Sequence, residues 1–362
     1  MRILIGADVV PTPYTEELFV KQDFKTLFGD IADRIRSADR TVINLECALT
    51  ESETRIKKFG PCLKANPKCA DALKALGVTD IMLANNHMFD FGVKGMVDTL
   101  SNLERVGLPY TGCGENDTLS RKPHIVEQDG KKIGFINVCE HEYSYALPDR
   151  MGANPFDPFL TMQDIRNLKK QVDFVIVLYH GAKEHCRYPS PRMINLTHEM
   201  VHCGADVVIT QHSHCIGCYE EYENGHILHG QGNFHFCCGD DKPETWYTSL
   251  LVELKIDKEV QIKFYPIVTK ERGIEIAKGQ KGEEIMSAFA SRNEEVKNGK
   301  WIDGWRAFCE SVSEGYKGVL NGLETPETIE RKTQRFAHYL DCEAHTDVWR
   351  ELYPTWNHTN EK

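Results

Sequence analysis

From the first residue to about position 268, apolar strand-like runs alternate with amphipathic stretches. The runs MRILIGAD, DRTVINLE, DIMLANNH, DFVIVLYH and DVVITQHSH read as strands. Between them the spacing predicts helices over 24–38, 67–76, 93–106, 162–171 and 191–202. Asn66 before Pro67 and Ser190 before Pro191 each pair a capping oxygen with proline at the first helical position. Gly77, Gly107 and Gly204 are stop signals. Strand, helix and strand repeated in this way predict right-handed crossovers and a largely parallel sheet. Two stretches break the rhythm. Residues 124–138 read as a hairpin turning at Asp129-Gly130, and 219–236 as another turning at Asn224-Gly225. Strands at 246–256 and 261–268 follow. Antiparallel strands added to a parallel core predict an α/β sandwich of two mixed sheets packed face to face with helices outside, spanning 1–268.

Beyond about position 270 the pattern changes to long polar helices, predicted at 283–297, 301–320, 326–340 and 346–352. Ile285, Phe289, Trp301, Trp305, Phe308, Phe336 and Trp349 form their expected core-facing positions, as packing groups. This helical extension, 269–362, either caps the site or offers a surface to a second copy in a homo-oligomer.

Composition narrows the function. The chain has 362 residues, 41% of them hydrophobic and 27% charged, enough for a sizeable core. A net charge of −11 without a basic stretch disfavours an extended nucleic acid or an anionic lipid surface as partner. A small phosphorylated substrate held by metal is compatible with it. No segment reaches the roughly 18 apolar residues of a membrane span. The start, directly into a strand without a leader pattern, points to the cytoplasm, or to the cell surface if an anchor has been removed. Thirteen cysteines, an odd and scattered set, make a poor disulfide framework.

The strand-like runs end in a distinctive set of side chains: Asp8, Glu46, Asn86 with His87, His180, and His212 with His214. Open α/β sheets bind ligands at the carboxyl ends of their strands. Two carboxylates, an amide oxygen and three imidazoles suit Mn, Fe or Zn, and six donors suffice for two divalent transition-metal ions bridged by a shared carboxylate. On an extended strand His212 and His214 point to the same side. Each residue also has a purely structural alternative. Asp8 can cap a turn, Asn85-Asn86-His87 can form an Asx turn, and His180 can be a satisfied core histidine. A compact zinc site from His212, His214, Cys215 and Cys218 competes, but four ligands within seven residues are cramped.

Asn44-Leu45-Glu46, Ala84-Asn85-Asn86-His87-Met88-Phe89-Asp90-Phe91-Gly92, Thr111-Gly112-Cys113-Gly114, Gly204-Ala205-Asp206, His212-Ser213-His214 and Gly232-Asn233-Phe234 occur in the order seen in CapA-type proteins. The first 240 residues or so therefore resemble the poly-gamma-glutamate capsule-synthesis family, within the calcineurin-like metallophosphoesterases. The resemblance implies an α/β/β/α sandwich with a dinuclear metal centre. Asp8, Glu46 (bridging), Asn86, His180, His212 and His214 would be its ligands. It further implies a phosphoesterase-type hydrolase in which a metal-bound hydroxide attacks, His87 protonates the leaving oxygen and Asp90 orients His87. Two other functions remain open: a non-catalytic, polymer-binding component of poly-gamma-glutamate synthesis or export, and a hydrolase of glutamyl amide bonds. The sequence departs from the superfamily pattern in four places. Val9 and Val10 follow Asp8 where Asp-x-His is usual, Asn-Leu-Glu replaces Gly-Asp-x-x-Asp, His180-Gly181-Ala182-Lys183-Glu184-His185 replaces His-Trp-Gly-x-Glu-Tyr, and the opening Gly-Asp is spaced to Gly6-Ala7-Asp8.

Overall fold

The computed structural model describes residues 1–239, 242–320 and 329–353. Side chains alternate in direction along each strand, so an apolar run fills two different layers. Ile3, Ile5 and Val42 face Ile176, Leu178 and Ile209 across the space between two sheets. Leu4 and Ile43 point the other way, onto Phe19, Leu27, Ile31, Leu73 and Met96. Val175, Val177 and Val208 pack outward on Ile165, Leu168, Met193 and Met200. The result is the expected α/β/β/α sandwich, with each central strand covered on both faces. Full burial of each such Ile, Leu or Val contributes about 1.5–3 kcal/mol before entropy is counted.

The first sheet has eight strands. Across it lie Ile274–Ile276, Val260–Thr269, Thr248–Ile256, Arg2–Val9, Arg40–Leu45, Asp80–Met82 and Tyr110–Thr111, with Asn233–His235 also pairing Arg2–Val9. The strands from Arg2–Val9 to Tyr110–Thr111 are parallel, and Thr248–Ile256 and its outer neighbours are antiparallel. The second sheet, of six strands, runs Ile216–Tyr222, Gly225–Gln231, Val207–Gln211, Phe174–His180, Lys131–Cys139 and His124–Gln128. Its middle strands are parallel and both edges antiparallel.

Helix Pro191–His202 begins where expected, with the Ser190 side chain accepting from Met193 N. The hairpin turn at Asp129-Gly130 places both residues at positive φ, 54° and 71°. Four expectations need correction. The helix read over 24–38 is two, Phe24–Phe28 and Ile31–Arg36, because Gly29 (φ 48°) breaks the ladder between them. The helix read from Pro67 starts at Cys69, since the three-residue bond from Cys69 N to Asn66 O winds the entry as a turn. Pairing of Tyr222 with Gly225 moves the second hairpin turn to Glu223-Asn224, and the last strand of that stretch, Asn233–His235, crosses to the first sheet. Phe336 is exposed, because helix Ile329–Asp341 turns His338 and Tyr339 inward instead.

The helical extension consists of Gly279–Lys297, Trp301–Leu320, Ile329–Asp341 and Glu343–Leu352. Ile285 and Phe289 close an edge of the inter-sheet core. Trp305, Cys309, Tyr316 and Val348 form a core of their own around Cys186. A buried polar joint fastens the last helix: Arg192 donates to Asp347 (2.8 Å) and to Glu140 (2.5 Å), and His141 meets Glu343 at 2.6 Å. The part of 326–340 before residue 329 lies outside the described residues. Among the described residues there is no disulfide, and no helix is long and apolar enough to cross a membrane.

Candidate metal centre

The carboxyl ends of the parallel strands of both sheets open at one end of the sandwich. Asp8 stands near the end of Arg2–Val9 and Glu46 just after Arg40–Leu45; Asn86 and His87 follow Asp80–Met82. From the second sheet come His180, at the end of Phe174–His180, and His212 and His214, just after Val207–Gln211. Three residues of the first strand (Ile5 to Asp8) span two of its neighbour (Val42 to Asn44), a β-bulge at Gly6-Ala7. Such a bulge re-aims the following side chain, and it absorbs the residue that separates Gly6 from Asp8. His212 and His214 both have positive φ, 81° and 53°. Left-handed backbone at two non-glycine residues, rather than the alternation of an extended strand, brings these imidazoles together, and such conformations cluster at functional sites.

Six of the predicted residues meet in one buried place. Glu46, His180 and His212 place donor atoms within 4.8 Å of one another, and so do Asp8, Glu46 and His214. The two triads share Glu46. His180 Nε2 is 3.4 Å from Glu46 Oε1, 3.1 Å from Asn86 Oδ1 and 3.2 Å from His212 Nδ1. His214 Nδ1 lies 3.8 Å from Asp8 Oδ2. Asn44 donates to Asp8 Oδ1 (2.7 Å) and accepts from Asn85 (3.0 Å), tying the three loops of the first sheet together. The remaining two predicted residues form a pair beside these six: His87 Nδ1 is 2.6 Å from Asp90 Oδ2.

Burial dominates the electrostatics. It pushes the Asp8 carboxyl up to about 7, with Glu46 adding to the shift, and holds Glu46 well above the usual carboxylate range. It pushes His180 and His212 down to about 4 and His214 well below its ordinary value. Glu46 is fully buried, and neither of its oxygens has a hydrogen-bond partner. An ionised carboxylate so placed is costly unless a positive charge accompanies it. Neutral imidazoles and the Asp8 carboxyl around an orphaned Glu46 are a donor set that fits divalent cations.

Several neighbours escaped the sequence reading. Lys58, only 2% exposed at its side chain, is paired with Asp90 and sits 3.2 Å from His87 Nδ1. Glu142 Oε2 accepts from Asn86 Nδ2 (3.0 Å) and is 3.4 Å from His212 Nε2. Glu142 follows strand Lys131–Cys139, another carboxyl end, and the strand-end rule applied to that hairpin would have found it. Lys58 lies in the polar stretch 50–63 and carried no signal. His338, from helix Ile329–Asp341, is 3.8 Å from Glu142 Oε1. Beside it lies a cavity of about 680 Å³, walled by Glu142, Tyr143 and Arg150 of the sandwich and by His338 and Asp341 of that helix. Cys215 and Cys218 are buried apart from both triads, which excludes the compact zinc site as read.

Fold and site together define a two-sheet α/β protein with an acid–imidazole centre at the joint of its sheets. Residues 3–237 match the family described as bacterial capsule synthesis protein PGA_cap, and the chain belongs to that family. It is similar to the capsule biosynthesis protein CapA of Bacillus anthracis, with 28% identity over 240 residues, 63% of this chain and 58% of that protein. It is also similar to the PGA biosynthesis protein CapA of Bacillus subtilis (strain 168), with 27% identity over 234 residues, 63% of this chain and 61% of that protein. The chain thus spans about three fifths of the length of these curated relatives. Among solved structures it is similar to a putative 5'-nucleotidase from Staphylococcus aureus, with TM-score 0.47 and 15% identity over 80% of this chain and 58% of that one.

Proposed function

We propose that this protein is a metal-dependent hydrolase of phosphoester type, holding two divalent transition-metal ions, Mn, Fe or Zn, at Asp8, Glu46, Asn86, His180, His212 and His214. The observation that carries this reading is the pair of donor triads sharing the partnerless Glu46. Ions held there would supply Lewis-acid polarisation of a phosphoryl oxygen and activation of water. Asp8 and Glu46 bring the negative charge that retains the ions, and the imidazoles, kept neutral by burial, offer lone pairs. Asn86 Oδ1 is turned toward His180 while its Nδ2 donates to Glu142. His87 is the general acid. Asp90 accepts from its Nδ1, which leaves Nε2 to deliver a proton to the leaving oxygen.

Metal-loaded protein should turn over an aryl phosphate or phosphodiester and lose that activity to a chelator. His87→Ala should reduce the rate by about 10²–10⁴-fold with metal content unchanged. Metal-loaded wild type that is inert across a broad phosphoester panel would overturn the reading. A second reading rests on the names of the two CapA relatives, which concern capsule and PGA biosynthesis. In it the same centre binds poly-gamma-glutamate or cleaves its amide bonds. Retention or shortening of that polymer by phosphoester-inert, metal-loaded protein would select it.

A further inference from the structure

The centre is uneven. Beside Glu46, His180 and His212 stands the Asn86 oxygen as a further donor, 3.1 Å from His180 Nε2, whereas Asp8, Glu46 and His214 form a set of three. The position two residues after Asp8 is Val10, an apolar side chain only 2% exposed within the core, which has no donor to give.

We propose that Glu184 is the fourth protein donor to the cation held by Asp8, Glu46 and His214, making this half of the centre rich in oxygen and selective for Mn²⁺ or Mg²⁺ over Zn²⁺. The inference rests on the metal-centre reading above. Asn233 Oδ1 lies 2.8 Å from His214 Nδ1 and accepts its proton, so Nε2 is the nitrogen left for a cation. Glu184 Oε1 stands 4.0 Å from that Nε2. Two donors on one such ion, each about 2.0–2.3 Å from it, are separated by about 3–4.5 Å. Glu184 makes no hydrogen bond to a described residue, and its half-exposed side chain, outside the 4.8 Å set of Asp8, Glu46 and His214, is free to close onto it.

The loop that carries Glu184 is fastened to the strand end that carries the imidazoles. Gly181 N donates to Gln211 O (3.2 Å) and His185 N to Ser213 O (2.7 Å). A Cβ on Gly181 would come within 2.5 Å of the Tyr179 ring and 2.6 Å of Glu140, so the chain passes there only as glycine. Ala182 and His185 hold φ of 82° and 63°, strained values for these residue types. With Glu184 included, three carboxylates and one imidazole surround the first cation, a harder donor set than the amide, carboxylate and two imidazoles around the second.

The test uses the full chain, Glu184→Gln and Glu184→His, dialysed against Mn²⁺, with elemental analysis and electron paramagnetic resonance as readouts. The Glu184 side chain is 44% exposed, so both variants keep the fold, which circular dichroism checks. Wild type should hold two ions with a spin-coupled spectrum. Glu184→Gln should hold one, with the spectrum of an isolated ion and the other site more than about 100-fold weaker. Glu184→His should regain the second ion with preference shifted toward Zn²⁺. Two ions of undiminished affinity in Glu184→Gln overturn this inference and leave the metal centre standing. A wild type with a single ion also overturns it, and a wild type with none overturns the metal centre itself.

Discussion

The two sheets bring opposite chemistry to the place where they meet. The first delivers oxygen donors, Asp8, Glu46 and Asn86; the second delivers nitrogen donors, His180, His212 and His214. Burial neutralises both. Protons are retained on the acids, with Asp8 pushed up to about 7, and kept off the bases, with His180 and His212 pushed down to about 4. Acid and base therefore face each other across the joint without forming strong ion pairs. A cation changes that balance, because it displaces protons from the carboxylates and needs none removed from the imidazoles. Neither layer alone makes a site, and the packing that joins them is what creates it.

The sharpest way to break this symmetry is to remove the one residue common to both triads. Glu46→Gln should lose both ions, and hydrolysis should fall by about 10³-fold or more. His212→Ala, a member of one triad, should lose one ion. Elemental analysis of the two variants side by side distinguishes a shared ligand from an unshared one. Equal losses would mean that the triads do not share Glu46 as read.

A second test contrasts the layers through stability. In the metal-free chain, Asp8 has a folded pKa raised from 3.8 to about 7, so between those values the folded state binds more protons than the unfolded one. Its contribution therefore falls as pH rises, by up to about 4 kcal/mol across the window. The lowered imidazoles act in the opposite sense, adding stability as pH rises from about 4 to 6.5. At 6.5 the unfolded-state imidazoles are still half protonated, so the carboxylate is isolated by comparison with Asp8→Asn, in which the histidine contribution is the same. Metal-free wild type should lose stability relative to metal-free Asp8→Asn as pH rises from 5 to 8. Urea midpoints of the two metal-free proteins at pH 5 and 8 check this. A difference that stays flat contradicts the burial of Asp8 as a charged-form penalty.

The sandwich was legible because alternation along an apolar strand obeys local geometry: Leu4 and Ile5 must part to opposite layers wherever the strand lies. The gathering of the six residues was legible because each sits at the carboxyl end of a strand, which parallel topology brings together automatically. What the sequence hid depends on backbone detail. No periodicity announces that His212 and His214 converge through left-handed residues, or that Gly6-Ala7 is a bulge that aims Asp8. Lys58 reaches His87 from a polar stretch without regular structure, and His338 arrives from a helix about 200 residues away in sequence from Glu142, which it neighbours. Phe336 was misread because an aromatic on an amphipathic helix was assigned to the wrong face.

The finest test concerns the His87–Asp90 pair beside the two triads, where Lys58 stands on the first-sheet side. Burial lowers the pKa of His87, Lys58 lowers it further, and Asp90 opposes both. Lys58→Met removes the cation 3.2 Å from Nδ1 and leaves the His87–Asp90 contact of 2.6 Å in place, so the pKa of His87 should rise. A general acid must carry its proton into the reaction, so kcat/KM falls as pH climbs through its pKa. A raised pKa moves that fall to higher pH. The alkaline limb of the profile should therefore shift upward in Lys58→Met and stay in place in Lys58→Arg, which keeps the charge. The rate at the optimum should change by less than about tenfold, because none of the six proposed metal ligands is replaced. A limb that stays fixed in both variants would take the proton-donor role away from His87 while leaving the metal-centre reading intact, since Lys58 hydrogen-bonds to no member of the two triads and meets Asn86 only at its backbone carbonyl, at 3.4 Å.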